Sequence, residues 1–392
     1  MEVRAQAVPL PGKSGRITRP AAAMASASGG LAMERRGRGA VTNPPNRFDG
    51  AATSAFDDGW GTLPAALLDL PPLHTELLRD ATRSVISYNA SPDLGFDRSV
   101  NVYRGCEHGC VYCYARPTHA YLGYSPGLDF ETKLLYKPEA AQLLERELRR
   151  PKYAAKPIVL GANTDPYQPI DRTLKLTRSV LEVLDRFNHP AIIVTKSASV
   201  LRDLDILQAM AERNLLQVYV SVTTLDPALA RRMEPRAATP GRRVAAMAEL
   251  SRAGVPVSVL AAPVIPGLND SELEGILRAA AEAGATHAGY GLLRLPHELA
   301  QMFEDWLGLH YPDRGRRVLQ LIRDTRGGAG ALNDSTFGQR FSGTGAYAEL
   351  LRLRFDRAAR QLGLADRREL DVTSFAPPGP AGASAGLQLT LL

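Results

Sequence analysis

The chain's only three cysteines stand at Cys106, Cys110 and Cys113, a C-x3-C-x2-C spacing within eight residues. Thiolates are soft ligands that suit iron–sulfur clusters, zinc or Cu(I). A structural zinc takes four ligands. His108 offers a fourth, but it lies inside the same loop, where its reach to a shared metal is awkward. A cubane [4Fe–4S] cluster usually takes four cysteines. Three thiolates leave one iron open, and an open iron can bind a substrate or cofactor. Gly105 and Gly109 mark a tight loop, whose backbone N–H groups near the sulfurs can tune the cluster. The cluster is the leading reading, and a zinc-binding interaction module without catalysis is the alternative.

A rigid scaffold must position such a loop. With 392 residues, 45% hydrophobic and 22% charged, the composition is that of an ordinary soluble globular protein. No apolar run approaches the roughly 18 residues of a membrane span, and the first residues lack the apolar core of a secretory signal. Cysteine usage fits a reducing compartment, and a cytoplasmic protein is expected. Short β-branched apolar runs recur at 99–103, 157–160, 191–195, 217–222, 256–265 and 287–293. Between them, helical periodicity covers 138–149, 173–187, 200–213, 241–253 and 270–283, the last two ending at Gly254 and Gly284 as C-caps. This βα alternation predicts an α/β fold. A partial (β/α)6 TIM-like barrel is the leading architecture, and an open doubly wound sheet is second. In either, functional groups gather at the C-terminal strand ends, here 104–113, 161–170, 196–199, 223–226, 263–269 and 294–297.

The flanks differ from the body. Residues 1–50 carry a net +5 and residues 310–360 another +5, against −3 for 51–309. Basic flanks suit phosphate or an acidic partner, or are simply solvated. The expected division is a disordered basic segment 1–50, a lead-in 51–94, the barrel 95–310, a C-terminal extension 311–372 and a disordered tail 373–392. Met33 offers an alternative start. Within the extension, the Gly-rich stretch 324–345, with Arg326, Phe337 and Arg340, is a candidate lid or phosphate site, and an ordinary surface loop is the plainer reading.

The cysteine spacing, with Tyr112 before the last cysteine and the motif after the first strand, resembles the radical S-adenosylmethionine superfamily over residues 95–300. That resemblance implies a [4Fe–4S] cluster held by Cys106, Cys110 and Cys113. It implies S-adenosylmethionine chelated to the open iron and cleaved by one electron to a 5′-deoxyadenosyl radical, which takes hydrogen from a substrate. Further segments resemble the branch of uncharacterised bacterial proteins related to spore photoproduct lyase. They are Arg36-Gly-Arg-Gly-Ala40 with Asn46-Arg-Phe48, Gly161-Ala-Asn-Thr-Asp-Pro-Tyr-Gln-Pro169, Thr195-Lys-Ser197, Ser221-Val-Thr-Thr-Leu-Asp226, Glu234-Pro-Arg236, Ala262-Pro-Val-Ile-Pro-Gly267, Phe337-Gly-Gln-Arg340 and Gly343-Thr-Gly-Ala-Tyr347.

The resemblance turns the other strand ends into candidate cofactor contacts. Asn163, Thr164 and Asp165 accept from the ammonium, or form an Asx-turn or N-cap. Lys196 faces a carboxylate, or is solvated. Ser221 and Thr223 touch the carboxylate or ribose, or are satisfied core hydroxyls. Arg236 clamps a carboxylate, or makes a surface ion pair. Val264 and Ile265 flank the adenine, or belong to a Pro-rich turn, and Tyr112 lies near the adenine. Tyr114, Arg116, His119, Tyr121, Arg294 and His297 are candidates for the substrate side. No fourth cysteine remains as a hydrogen donor of the kind lesion-repairing lyases use, so repair by that route is disfavoured, and Tyr290 is the substitute considered. The expected activity is a radical S-adenosylmethionine enzyme of lyase or oxidoreductase type. Its substrate is unidentified, with nucleic acid ranked first, and a flavodoxin- or ferredoxin-like protein supplies electrons.

Overall fold

The computed structural model describes residues 23–25, 31–48, 73–328 and 330–379. Residues 1–22, 26–30, 49–72 and 380–392, which include parts of the N-terminal, lead-in and tail segments named above, lie outside the described residues.

The six β-branched runs form parallel strands where periodicity placed them: β5 (Arg98–Val100), β8 (Ile158–Leu160), β9 (Ala191–Thr195), β10 (Leu216–Ser221), β11 (Val257–Val264) and β12 (His287–Leu292). Earlier in the chain come β1 (Ala23–Ala25), β2 (Leu31–Met33), β3 (Glu76–Arg79) and β4 (Ile86–Tyr88), and between β5 and β8 come β6 (Tyr103–Arg104) and β7 (Lys133–Tyr136). The main sheet runs β12-β11-β10-β9-β8-β5-β4, and β4 is antiparallel to β5. A separate small sheet, β3-β7-β6, carries the chain into the cysteine loop.

Crossover helices α1 (Ala140–Leu148), α2 (Leu176–Arg186), α3 (Leu204–Glu212), α4 (Pro240–Arg252) and α5 (Leu273–Glu282) cover the sheet. Each buries one apolar stripe, such as Val180, Leu181 and Leu184 of α2, against strand residues including Ile193, Val218 and Val259. The expected C-caps form. Gly254 and Gly284 take φ of 77° and 87°, and Val255 N and Ala285 N bond back to Leu250 O and Ala280 O, the six-to-one closure of a Schellman turn.

The strands follow sequence order without the reversal that a doubly wound sheet requires, so that alternative is set aside. The sheet is also not a closed ring: among the described residues β12 and β4 do not pair. The segment 336–341 lies between these edges. Phe341 O accepts from Leu292 N at 2.8 Å, Gly338 N donates to Asp93 at 2.7 Å, and Arg340 pairs with Asp93 at 2.5 Å.

Three helices follow the sheet: α6 (Leu299–His310), α7 (Pro312–Asp324) and α8 (Gly345–Gln361). Phe303, Trp306, Val318 and Ile322 of the first two share one apolar cluster with Val41, Cys110, Tyr112 and Ile265. Helix α8 packs Phe355 on Tyr290, 4.6 Å between ring centroids. Tyr290 thus stacks its ring on a covering helix, and its hydroxyl is buried without a hydrogen-bond partner among the described residues.

Two expectations of disorder need correction. Residues 31–48 are packed: Met33, Ala40 and Val41 are buried, and Met33 N donates to Val41 O at 2.8 Å. Small residues made this stretch look featureless, yet they permit close approach. A Cβ on Gly39 would lie 1.8 Å from Gly109 O in the cysteine loop. Residues 373–379 also dock, with Phe375 against Tyr153, Phe187 and His189 and Ala376 N bonded to Phe187 O.

Candidate functional site

The cysteine loop leaves β6 at the C-terminal side of the sheet. Backbone bonds fold it tightly: Cys106 N to Phe130 O at 2.9 Å, Gly109 N to Cys106 O, Cys113 N to Cys110 O and Arg116 N to Cys113 O. Cys106 and Cys110 are buried and Cys113 is partly so. Burial pushes the Cys106 thiol up, helped by Asp165, and the Cys110 thiol up to about 12 against the pull of Lys196. A bound metal inverts that preference by taking the thiolate.

Among the described residues, no three of His, Cys, Asp and Glu converge as ligands of a single ion. His108 is turned away, its Nδ1 lying 3.3 Å from Asp165 Oδ2. This does not fit one tetrahedral zinc. A cluster asks less of the three cysteines, since each thiolate binds its own iron, and three thiols on one tight, largely buried loop suit that donor set.

A buried hub fixes the loop from below. Arg116 is fully buried. Its Nε donates to Cys110 O at 2.8 Å, one terminal nitrogen donates to Pro126 O and Gly127 O, and the other pairs with Glu131 at 2.5 Å. Glu131 also accepts from Gly39 N at 3.1 Å and Ala40 N at 2.8 Å. Arg38 donates to the backbone oxygens of Glu131 and Leu73, both at 2.7 Å. The N-terminal segment is thereby tied to the cysteine loop through one carboxylate. Glu131 had no local signal, since Arg116 lies 15 residues before it and Gly39 and Ala40 some 90 residues away.

Asp165 is saturated. Its Oδ1 accepts from Tyr167 N and Thr195 Oγ1, and its Oδ2 from Lys196 N at 2.7 Å. Burial opposes its charge, but His108 and these donors hold its carboxyl down at about 2. It joins the ends of β8 and β9 to the cysteine loop and has no oxygen left for an ammonium. Thr164 Oγ1 donates to Tyr103 O, and Asn163 is exposed beside it.

Arg236 pairs with Glu107 at 3.1 Å, and its N–H donates to His108 O. It holds the cysteine loop and is not a free clamp for a carboxylate. The buried acid that sequence reading passed over is Glu234. It pairs with Arg243, both essentially inaccessible, and accepts the Tyr112 hydroxyl. Burial disfavours its charge, but Arg243 and Lys196 hold its carboxyl at about 2. Tyr112 also reaches Thr223 Oγ1 at 3.0 Å. Ser221 and Thr223 both donate to Ala262 O. Val264 and Ile265 are buried, and Asn269 holds the Ile265 N–H.

Lys196 differs. Its ammonium makes no hydrogen bond or ion pair among the described residues and lies 5.8 Å from the Tyr112 ring centre. Burial works against its charge, but Cys110 and Glu234 outweigh that and raise its pKa. A cation is therefore maintained beside the cysteines without a direct partner.

Of the substrate-side candidates, Tyr114 and Tyr121 are exposed. His119 is a buried core histidine, bonded to Lys133 O and held neutral by burial, with its pKa near 4. Arg326 is buried on the carbonyls of Leu292, Leu293 and Arg340. With Arg340 on Asp93 and Ser91, both arginines of the Gly-rich stretch are engaged in tying it to the end of β12 and to the segment after β4.

The Radical SAM superfamily model matches residues 100–280. Uncharacterised proteins of Mycobacterium bovis and Mycobacterium tuberculosis are each 37% identical over 252 residues, 64% of this chain and 73% of theirs. One of Methanocaldococcus jannaschii is 28% identical over 173 residues, covering 44% of this chain and 62% of its own. Among solved structures, spore photoproduct lyase complexed with dinucleoside spore photoproduct has TM-score 0.52 at 16% identity, covering 73% of this chain and 79% of that one. A double mutant of that lyase, with bound AdoMet and dinucleoside spore photoproduct, has TM-score 0.51, 16% identity and coverage of 73% and 79%. At such identity the likeness is one of fold.

Proposed function

Because this chain belongs to the radical S-adenosylmethionine superfamily, whose members bind a [4Fe–4S] cluster and AdoMet and need a one-electron donor, we propose that Cys106, Cys110 and Cys113 hold the cluster. Its fourth iron is then left for the cofactor. The observation that carries this is the isolation of all three cysteines on one loop, with no fourth to close the cluster. When bound, the reduced cluster supplies the electron for reductive cleavage of the sulfonium.

This chain's residues do the rest. Lys196 holds its charge ready for the cofactor carboxylate. Asn163, exposed beside the loop, accepts from the ammonium, and Ser221 and Thr223 with Val264 and Ile265 wall the nucleoside side. Thr164, Asp165 and Arg236 position the loop and strand ends, and Tyr112, its hydroxyl held by Glu234, keeps its ring beside Lys196 on the adenine side. We read residues 95–310 as a partial six-stranded barrel, its open side spanned by the segment 336–341, and residues 311–372 as its extension.

Nucleic acid is the substrate class placed first, supported by structural neighbours solved with a dinucleoside spore photoproduct. The lack of a fourth cysteine argues against their repair route. No described helix is long and apolar enough to cross a membrane. A cytoplasmic site and a flavodoxin- or ferredoxin-like donor belong to this proposal.

Anaerobic reconstitution tests it. The expected result is a brown protein with about four irons per chain that releases 5′-deoxyadenosine under dithionite, with each Cys→Ser variant losing both. A colourless protein that ignores the cofactor would falsify the reading.

A further inference from the structure

We propose that Arg294 is the anchor for an anionic group of the substrate, a phosphate or a carboxylate. The inference rests on the radical-enzyme reading for the word substrate, and on geometry for the site. Arg294 follows Leu293 just beyond the C-terminal end of β12, where Leu293 N donates to Val264 O at 3.0 Å. Three arginines gather here, and two are committed: Arg326 to three backbone carbonyls, Arg340 to Asp93 and Ser91.

Arg294 is the third. It lies on the Phe341 ring at 5.1 Å and makes no hydrogen bond or ion pair among the described residues. Its Nε–H is buried without an acceptor, as is that of Arg326, but Arg326 and Arg340 have partners on their other nitrogens and Arg294 has none among the described residues. A buried donor left unmade costs stability, and burial and Arg340 both press on this charge. The nearby carboxylate that could relieve it, Asp93, is taken by Arg340.

The location is the reaction side. Leu293, the residue before Arg294, packs in one apolar cluster with Cys110, Tyr112 and Ile265, and the hydroxyl of Tyr114, the residue after Cys113, donates to Ala162 O just past β8. Tyr114 and Phe337 leave aromatic surface exposed at this rim, 48% and 59%. A guanidinium is a planar fork that matches phosphate or carboxylate with two parallel bonds. Both anions match the fork, and the titration distinguishes them.

Anaerobically reconstituted protein is titrated with inorganic phosphate, followed by 31P line broadening, and with acetate, followed by 13C line broadening. Wild type and Arg242→Gln, which removes an exposed charge elsewhere, are expected to bind at least one anion equally. Arg294→Gln should weaken that binding by about tenfold or more, the loss expected for a charge-assisted pair. Arg294→Lys keeps charge and bulk if the glutamine variant folds poorly, and should still lose several-fold because the fork is gone. Dependence for phosphate alone assigns a phosphorylated substrate, and for acetate alone a carboxylate. Equal binding by wild type and both Arg294 variants, or no binding of either anion to wild type, overturns the proposal. Iron and 5′-deoxyadenosine are measured on the same samples. A colourless protein with Arg294-dependent binding sinks the enzyme reading and spares the site, whereas an active one without it sinks the site alone.

Discussion

Glu131→Gln isolates the hub beneath the cysteine loop. The glutamine is nearly isosteric, so it opens no cavity, but it cannot neutralise Arg116, which is fully buried and 2.5 Å from the carboxylate. Its amide NH2 must also face either Arg116 and the Ala40 N–H, which share one oxygen, or the Gly39 N–H on the other, donor against donor. Removing one partner of a buried pair costs about 3–5 kcal/mol, because the other charge is left uncompensated. At a few degrees per kcal/mol, that is a fall in Tm on the order of 10 °C. Arg116 also holds Cys110 O and the backbone at Cys113, so the loop loosens and iron should leave faster. The assay is thermal melting by circular dichroism with iron release to a chelator, on anaerobic protein. The double variant Arg116→Met with Glu131→Met removes both charges and should recover much of the melting temperature. A Glu131→Gln protein that melts and retains iron like wild type would refute the hub, and so would a double variant worse than the two single variants combined.

Three further outcomes follow from the same geometry. Gly39→Ala forces a Cβ onto Gly109 O at 1.8 Å, so the N-terminal segment must lift, and faster proteolysis within residues 31–48 checks it. Lys196→Met removes an ammonium that has no ion pair, so AdoMet binding should weaken about tenfold or more, while iron content and melting temperature hold; a large fall in Tm would instead make the lysine structural. His119 and His189 are buried neutral with pKa values lowered to about 4 from 6.5. Their contribution, roughly 3 kcal/mol each, is complete above pH 6.5 and is lost as pH falls from 6.5 toward 4. Denaturant midpoints across that window should drop, and less so in His189→Gln.

The sequence alone determined what is local. Strand runs such as 191–195, helix stripes and the Gly254 and Gly284 caps are set by neighbours a few residues away, so periodicity exposed them. The cysteine loop was legible because its chemistry is written in the spacing of one short segment. Tertiary structure decided the commitments of polar groups. Asp165 looked like a cofactor contact and is filled by four donors from two strand ends and the loop. Arg236 looked like a free clamp and holds Glu107. Arg326 and Arg340 looked like a phosphate cradle and are tied to carbonyls and Asp93. The stretch 31–48 looked featureless because its order comes from Glu131 and Gly109, far along the chain. Whether a charged side chain is available to a ligand depends on which partners the fold brings within hydrogen-bonding distance, and those partners carry no signature in the residues beside it.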